Sequence, residues 1–445
     1  MESLIGDKMK YKKGVFVNYQ IAEAIKLLDK YDISDDNGRK LAETELQGLK
    51  DRWTTQDKIP GYGIIIGNKN AGMDDITLDE ISKFATDIKQ ADTYSTECIG
   101  NMQYCLVRDE NGNVDFDFSY LSHIADLAKA NRKQLIIDSA VVFGDRFPEN
   151  MANMSQEEVA NVISIYIQKL TREFGDCIER IDVLNSVFQR DDVFNREGTI
   201  NSEEFWINVF GEEYARKVLS IVRQNCQNPD IDLCWNEFYI TNQNTPEKKK
   251  SFLETISNTA DLDVIGLQDN FRADTSCQYI QDSLEEIAEV CRKCGKKISI
   301  TELSCKVGRR DIESLNEAKQ SGNYATKIDE LNNRIRQVIQ TATNFCQTNP
   351  DIVSSVESRY SDRYDCNYRE CKNNGHIIYT SPRRDNNVEQ TRILTSQQDG
   401  KSGFNDCMQD DGVRISTEQG ATQTVKNKVL NKDKVLDVNE HNIQE

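Results

Sequence analysis

The sequence predicts an α/β protein of the (β/α)8 TIM barrel class, and three observations support this prediction. Short apolar segments with strand character alternate with amphipathic helical segments along most of the chain. The strand segments are nearly continuous apolar runs, as expected when helices cover a parallel sheet. Polar side chains follow several strands directly, where such barrels place functional groups. A doubly wound open sheet is the alternative, but its Gly-rich phosphate loop is not found after the first predicted strand.

The elements fall into three predicted regions. Residues 1–58 are predicted to form a helical N-terminal extension, because apolar residues recur at helical spacing between Ile21 and Leu49. Residues 59–385 are predicted to form the barrel. Its eight predicted strands are Tyr62–Ile66, Thr93–Val107, Gln134–Phe143, Arg180–Asn185, Ile231–Tyr239, Val264–Gln268, Ile298–Leu303 and Ile352–Val356. The predicted helices between them are Leu78–Gln90, Phe118–Asn131, Gln156–Phe174, Glu203–Asn225, Lys248–Thr259, Cys277–Cys294 and Lys327–Gln347.

The last segment has a different composition. Residues 386–445 are rich in Asn, Gln, Asp, Thr and Ser, and their apolar residues are isolated. Such a composition cannot bury enough apolar surface to form a core of its own. We therefore expect a polar, partly irregular C-terminal tail.

Composition and charge limit the partners of the chain. Its 445 residues carry a formal net charge of −19, which repels a nucleic-acid backbone and leaves a neutral polysaccharide acceptable. No apolar run is long enough to span a bilayer, so we expect no membrane partner. The lysines between Lys8 and Lys13 are not followed by the apolar segment of a secretory signal, which favours a cytoplasmic location by default.

Cysteine and histidine usage argues against a metal site. The 13 Cys residues are scattered, and Cys291 and Cys294 form a C-x-x-C pair without a second pair at zinc-site spacing. The sequence contains only 3 His residues. We therefore expect reduced thiols used in packing, no metal and no cofactor.

Polar residues at four predicted strand ends are the candidates for chemistry. Asn185 and Ser186 end the fourth strand, and Glu237 lies on the fifth. The sixth strand ends in Gln268 with Asn270 close behind, and the seventh ends in Thr301–Glu302–Leu303. In a barrel these residues would face one another at the C-terminal rim. Asn185 and Gln268 could equally be buried amides that satisfy backbone groups.

The order and spacing of these segments resemble glycoside hydrolase family ten, the retaining endo-β-1,4-xylanases, over roughly residues 60 to 385. The family pattern D-V-x-N-E on the fourth strand is matched by Asp182–Val183–Leu184–Asn185, but Ser186 stands where the family has its acid/base Glu. On the fifth strand, Asn236–Glu237–Phe238 occupies the position of the family pattern N-D-Y. Gly266 and Gln268 match G-x-Q, and Asn270 occupies the His position. The T-E-L segment is intact, with Glu302 at the nucleophile position.

The resemblance implies a specific chemistry and a specific gap in it. Glu302 would be the nucleophile, and Ser186 marks the lost general acid/base. Asn185, Gln268, Asn270 and Glu237 would contact a β-1,4-linked oligosaccharide or polysaccharide. A retaining glycosidase needs two carboxyl groups roughly 5 Å apart. Glu237 is one possible replacement acid, and Asp191 and Asp192 in the following loop are others.

Two functions from different classes follow. The first is a divergent xylanase-like glycoside hydrolase with weak or altered β-glycoside hydrolysis or saccharide binding. The second is a catalytically inactive pseudoenzyme that serves as a protein-binding, glycan-binding or structural module. An unrelated barrel enzyme is a third interpretation, because fold does not fix function.

Overall fold

Eight parallel strands form the centre of the molecule. In a computed structural model of the chain, the described residues are 12–17, 19–55, 76–89, 91–144, 149–187, 202–238, 240–241, 246–268, 270–306 and 309–358. The central strands are β1 Lys12–Phe16, β2 Thr93–Ser95, β3 Gln134–Ile137, β4 Ile178–Asn185, β5 Asp232–Phe238, β6 Val264–Gln268, β7 Lys297–Ile300 and β8 Val353–Ser358.

These strands close into a barrel. Each pairs in parallel with the next one in chain order, from β1 to β8. Strand β8 then pairs in parallel with β1, with Gly14 opposite Glu357. Every strand of this ring therefore has two neighbours, and the predicted (β/α)8 fold class is confirmed.

Helices surround the ring and connect its strands. Their bounds are Tyr19–Lys30, Asp36–Thr55, Leu78–Ile88, Met102–Cys105, Ser119–Asn131, Gln156–Phe174, Ser202–Phe210, Tyr214–Asn225, Pro246–Ser257, Cys277–Cys294, Arg309–Ser321 and Tyr324–Thr348. Short 3-10 turns cover Glu97–Gly100 and Glu149–Met151. Smaller strands pair outside the ring: Leu106–Arg108 with Val114–Phe116, and Asn270–Arg272 with Ser304–Lys306. Val142–Phe143 adds to the edge of β4.

The helix Gln156–Phe174 shows how local sequence defines these elements. Ser155 begins it with a capping box, in which its hydroxyl accepts from the Glu158 N–H and the Glu158 carboxylate accepts from the Ser155 N–H. Apolar residues then recur every three or four positions and are buried against the barrel. Tyr166 is the largest of them, and its ring packs edge-on against Phe116 and Phe118. Burying one apolar face fixes the helix on the barrel.

The structure corrects the interpretation of the N-terminal segment. The expected helices are present at Tyr19–Lys30 and Asp36–Thr55, but Lys12–Phe16 is the first barrel strand and not part of a helical extension. Only five residues long and containing Gly14, this strand is recognisable through its two neighbours rather than through its own pattern. The predicted strand Tyr62–Ile66 and the tail 386–445 lie outside the described residues.

Candidate functional site

The carboxyl ends of β4, β5, β6 and β7 meet at one edge of the barrel. Asn185, the last residue of β4, is in register with Asn236, and Phe238 of β5 is in register with Gln268, the last residue of β6. Strand β7 ends at Ile300, and Glu302 follows two residues later. Parallel pairing therefore brings the predicted site residues of four strands to the same rim.

The side-chain amide of Asn185 is the centre of this rim. Its Oδ1 accepts hydrogen bonds from Ser186 Oγ at 2.9 Å and from Gln268 Nε2 at 2.5 Å. Its Nδ2 donates to Asp138 Oδ1 at 2.9 Å and to Ser139 Oγ. An amide offers two donor and two acceptor positions, and all four are used. We name these five residues, Asp138, Ser139, Asn185, Ser186 and Gln268, the rim network.

Ser186 holds its hydroxyl inside this network. Besides Asn185, the hydroxyl has Gln268 Oε1 within reach at 3.1 Å, so its single proton is shared between two amide oxygens. The Ser186 backbone has a φ of 54°, and Ser139 has a φ of 55°. Left-handed conformations are rare for residues other than Gly, and they concentrate at functional sites. Both serines that flank Asn185 therefore sit on strained turns after neighbouring strands.

Glu237 is fully buried beside the rim network. Its Oε2 accepts from the Val187 N–H at 3.0 Å and from Trp235 Nε1 at 3.3 Å, and its Oε1 accepts from the Phe238 N–H at 3.1 Å. These bonds fix the backbone that follows Ser186 against β5. The carboxylate is thus an internal acceptor that shapes the rim.

Glu302 is held by its two neighbours in the chain. The Thr301 N–H donates to Leu267 O, and the Leu303 N–H donates to Glu357 O, both at 2.9 Å. The Thr301 hydroxyl donates to Asn236 Oδ1 at 2.6 Å. Backbone bonds to β6 on one side and β8 on the other therefore fix the backbone at Glu302, and this residue is 5% exposed.

A second polar cluster lies deeper in the barrel. Arg180 and Asp182 precede Asn185 on β4 and form an ion pair, with Arg180 Nε 2.7 Å from Asp182 Oδ1. Arg180 Nη1 also lies 2.8 Å from Glu357 Oε1 on β8. Ser299 and Ser355 complete the cluster with their hydroxyls. We name these five residues the floor network.

Comparison with known proteins identifies the family. The model of glycosyl hydrolase family 10 matches residues 68–353, more than half of the chain. This chain belongs to glycosyl hydrolase family 10. The sequence matches no curated protein.

Solved structures agree with the family 10 fold. The chain is similar to the crystal structure of CbXyn10B in native form, with a TM-score of 0.51, 14% identity, and coverage of 79% of this chain and 85% of that one. A family 10 xylanase with a bacterial Ig-like domain from termite gut gives a TM-score of 0.50 and 14% identity, covering 80% of this chain and 70% of that one. An endo-1,4-beta-xylanase from Caldicellulosiruptor owensensis gives a TM-score of 0.47 and 15% identity. The match covers 78% of this chain and 84% of that one.

The structure brings most of the predicted site residues of this family 10 chain together. Asn185, Ser186 and Gln268 are directly hydrogen-bonded, and Glu237 holds the turn beside them. The backbone of Asn270 begins the strand that pairs with Ser304–Lys306, and its side chain is not described. Asp191 and Asp192, the other possible acids, lie outside the described residues.

Sequence analysis missed Asp138 and Asn101. Asp138 follows β3 directly, is 5% exposed, and accepts from both Asn185 Nδ2 and Ser139 Oγ. Asn101 Oδ1 caps the short helix Met102–Cys105, and its Nδ2 donates to Ser139 O. The usable signal was the polar pair Asp138–Ser139 interrupting an apolar strand.

The described part of the chain contains neither a cluster of metal ligands nor a membrane-spanning helix. Among those residues, no group of three or more His, Cys, Asp and Glu side chains is arranged to hold a metal ion. No helix within the same ranges is both long and apolar enough to cross a membrane.

Proposed function

We propose that this chain is a divergent family 10 glycoside hydrolase that binds β-1,4-linked saccharides at the rim and hydrolyses β-glycosides weakly or with altered requirements. Glu302 acts as the nucleophile, and Ser186 stands in place of the general acid/base. One observation carries the proposal: the backbone on both sides of Glu302 is fixed to β6 and β8, at the rim that also holds Ser186. A carboxylate held this way is positioned for attack on an anomeric carbon.

Both chemical steps of the reaction would then lack the group that normally transfers a proton. Attack by Glu302 forms a glycosyl-enzyme bond and expels the leaving oxygen, which ordinarily receives a proton from the acid/base. The Ser186 hydroxyl supplies no such proton near neutral pH, and a positioned acid accelerates this step about 10²–10⁴-fold. Water attack on the intermediate loses the same group as its base. Substrates with good leaving groups avoid the first loss, and a strong anionic nucleophile avoids the second.

The test is hydrolysis of an activated aryl β-xyloside with and without azide. We expect azide to accelerate release of the phenol and to give a xylosyl azide of retained configuration. Glu302→Gln should abolish both effects, while Glu254→Gln, an exposed change on the outer helix Pro246–Ser257, should leave them intact. A folded protein without azide-dependent turnover would exclude Glu302 as a working nucleophile.

Restoring a carboxyl group gives a second test. Ser186→Glu should raise hydrolysis of an unactivated xylo-oligosaccharide, because one group would again serve both steps. The new side chain must adopt the left-handed backbone of residue 186, so circular dichroism should first show that the variant is folded. No gain in a folded variant would count against an intact substrate groove.

The second candidate is a saccharide-binding or protein-binding pseudoenzyme. It is favoured by the saturated amide of Asn185, which can contact a sugar only after giving up a bond inside the rim network. Contacts of a saccharide with Asn185, Gln268, Asn270 and Glu237 remain predictions. Calorimetric binding of xylo-oligosaccharides without turnover of the aryl xyloside would support this candidate. Absence of both would point to a protein partner.

A further inference from the structure

The floor network contains more negative than positive charge. Arg180 is 3% exposed, and its guanidinium contacts both oxygens of Asp182, at 2.7 and 3.3 Å. The same guanidinium contacts only Oε1 of Glu357, at 2.8 Å. Two carboxyl groups therefore share one cation in a region where an unpaired charge is costly. Asp182 therefore has two contacts with the cation, and Glu357 has one.

The two oxygens of Glu357 have unequal surroundings. Its Oε1 accepts hydrogen bonds from Ser299 Oγ and Ser355 Oγ, both at 3.0 Å, in addition to the contact with Arg180. Its Oε2 is buried and has no hydrogen-bond partner, and Thr93 Oγ1 is in the same condition. Buried polar atoms without a partner are rare and require an explanation.

Gly14 lies between the two residues that carry these unpartnered oxygens. In the β1 register Gly14 lies opposite Thr93 on one side and Glu357 on the other. A Cβ at residue 14 would overlap Cγ of Glu357 and lie 2.9 Å from Thr93 Oγ1. The missing Cβ of Gly14 therefore leaves room beside β1 for the Glu357 side chain.

We propose that Glu357 binds a proton on Oε2 in the folded protein near neutral pH, so that the barrel interior is a site for one proton. Oε1 keeps its three donors, and the proton neutralises the oxygen that no donor reaches. The cluster then holds one cation and one anion, Arg180 and Asp182. This assignment removes the excess negative charge from the buried cluster.

The surrounding groups agree with this assignment. Burial raises the pKa of Glu357, and the opposing effect of Arg180 is smaller. Among the side chains that the structure describes, the charged groups that face Glu357 are Arg180 and Asp182, both on β4. Cys234 on β5 also faces the cluster, and burial raises the pKa of its thiol, which therefore stays neutral. The other contacts, from β7 and β8, are hydroxyls.

The proton has a definite effect on stability. Because the folded-state pKa of Glu357 lies above its ordinary value of 4.5, the folded protein holds the proton more tightly than the unfolded chain. The resulting stabilisation is full at low pH and is lost as pH rises through the folded-state pKa. Within that window the unfolding constant gains up to about tenfold per pH unit from this one group.

Infrared spectroscopy and unfolding titrations test the site together. We expect the wild-type spectrum near neutral pH to contain the C=O stretch of a protonated carboxylic acid, and Glu357→Gln to remove it. Glu357→Gln should also flatten the loss of stability as pH rises above the ordinary pKa of Glu, while Glu289→Gln, on an exposed helical ion pair, should not. Ser355→Ala retains Glu357 and should shift the C=O band by removing a donor to Oε1. This variant keeps the proposal testable if Glu357→Gln does not fold. Absence of the band in the wild-type protein, or its persistence in folded Glu357→Gln, would overturn the proposal.

Discussion

The rim and floor networks are two sets of buried polar side chains in one barrel, and they are stabilised in different ways. The rim network is built mainly from amides and hydroxyls, includes two strained serines, and has Gln268 only partly buried. The floor network is built around Arg180 and two carboxyl groups, and all of its members are buried. Neutral hydrogen bonds can be exchanged at modest cost, whereas a buried charge that loses its partner is expensive.

Because of this difference, the rim network can exchange hydrogen bonds with a ligand, and the floor network cannot. A ligand at the rim can replace a bond to Asn185 or Gln268 by one of its own. No comparable exchange is available to Arg180, which joins β4 to β7 and β8 through Asp182, Ser299 and Glu357. The floor network therefore supports the strands from which Ser186 and Glu302 extend.

The largest expected effect is a loss of stability when the floor network loses its cation. Arg180→Met leaves Asp182 and Glu357 buried without their cation, and we expect a loss of about 3–5 kcal/mol in the free energy of unfolding. Urea denaturation measures it. Arg216→Met, which breaks an exposed pair with Glu213, is the matched control and should cost less than about 1 kcal/mol. Equal losses in the two variants would show that the floor network is not a special support.

The second-largest expected loss of stability concerns the contact between β5 and β6. A Cβ on Gly266 would lie 2.6 Å from Asn236 Oδ1 and 2.9 Å from the Asn236 Cα. Gly266→Ala should therefore destabilise the protein by about 1–3 kcal/mol through overpacking, and should disturb the bond from Thr301 to Asn236.

Gly48→Ala is a control for which we expect a gain of stability instead of a loss. It lies in the helix Asp36–Thr55 with open space around its missing Cβ, so Gly48→Ala should stabilise by about 0.5–1 kcal/mol. Thermal or urea unfolding of both variants decides the comparison. A neutral Gly266→Ala would mean that β5 and β6 can separate without cost.

Substitutions of Ser186 in the rim network should change the stability of the protein through backbone strain. Ser186→Gly and Ser186→Ala both remove the hydroxyl, but only Gly tolerates a φ of 54° without penalty. We expect the Gly variant to be more stable than the Ala variant by about 1 kcal/mol. At Ser164, inside the helix Gln156–Phe174, the order should reverse. Unfolding curves of the four variants would contradict the strain argument if Ala were preferred at both positions.

The sequence predicted seven of the eight barrel strands and the four strand ends that form the rim, because buried parallel strands and terminal polar residues leave a visible pattern. The predicted strand Thr93–Val107 was too long: only Thr93–Ser95 joins the ring, and a 3-10 turn, the helix Met102–Cys105 and the outer strand Leu106–Arg108 follow it. It could not predict the strand Lys12–Phe16, whose identity depends on pairing with β2 and β8. Nor could it show that the amide of Asn185 is saturated, or that Glu237 holds the Val187 N–H, because those facts depend on contacts across strands. The floor network was missed because Arg180 and Glu357 are far apart in the chain.

The smallest expected effect lies in the outer helical layer, at His123. Burial lowers the pKa of this imidazole below its ordinary value of 6.5, with a further lowering by Lys26, whose Nζ lies 3.5 Å from His123 Nδ1. The folded protein therefore favours neutral His123, and stability should be lost as pH falls below about 6.5. His123→Gln should remove this acid-side loss in urea titrations.

The expected sign is opposite to that of Glu357, which loses stability as pH rises. The two substitutions should therefore change the slope of stability against pH in opposite directions: His123→Gln should remove a gain with rising pH, and Glu357→Gln should remove a loss. If His123→Gln removed the loss with rising pH instead, the assignment of each contribution to one layer would be wrong. The two layers would then be coupled, because a change in the outer helices would reach the proton held at the centre of the barrel.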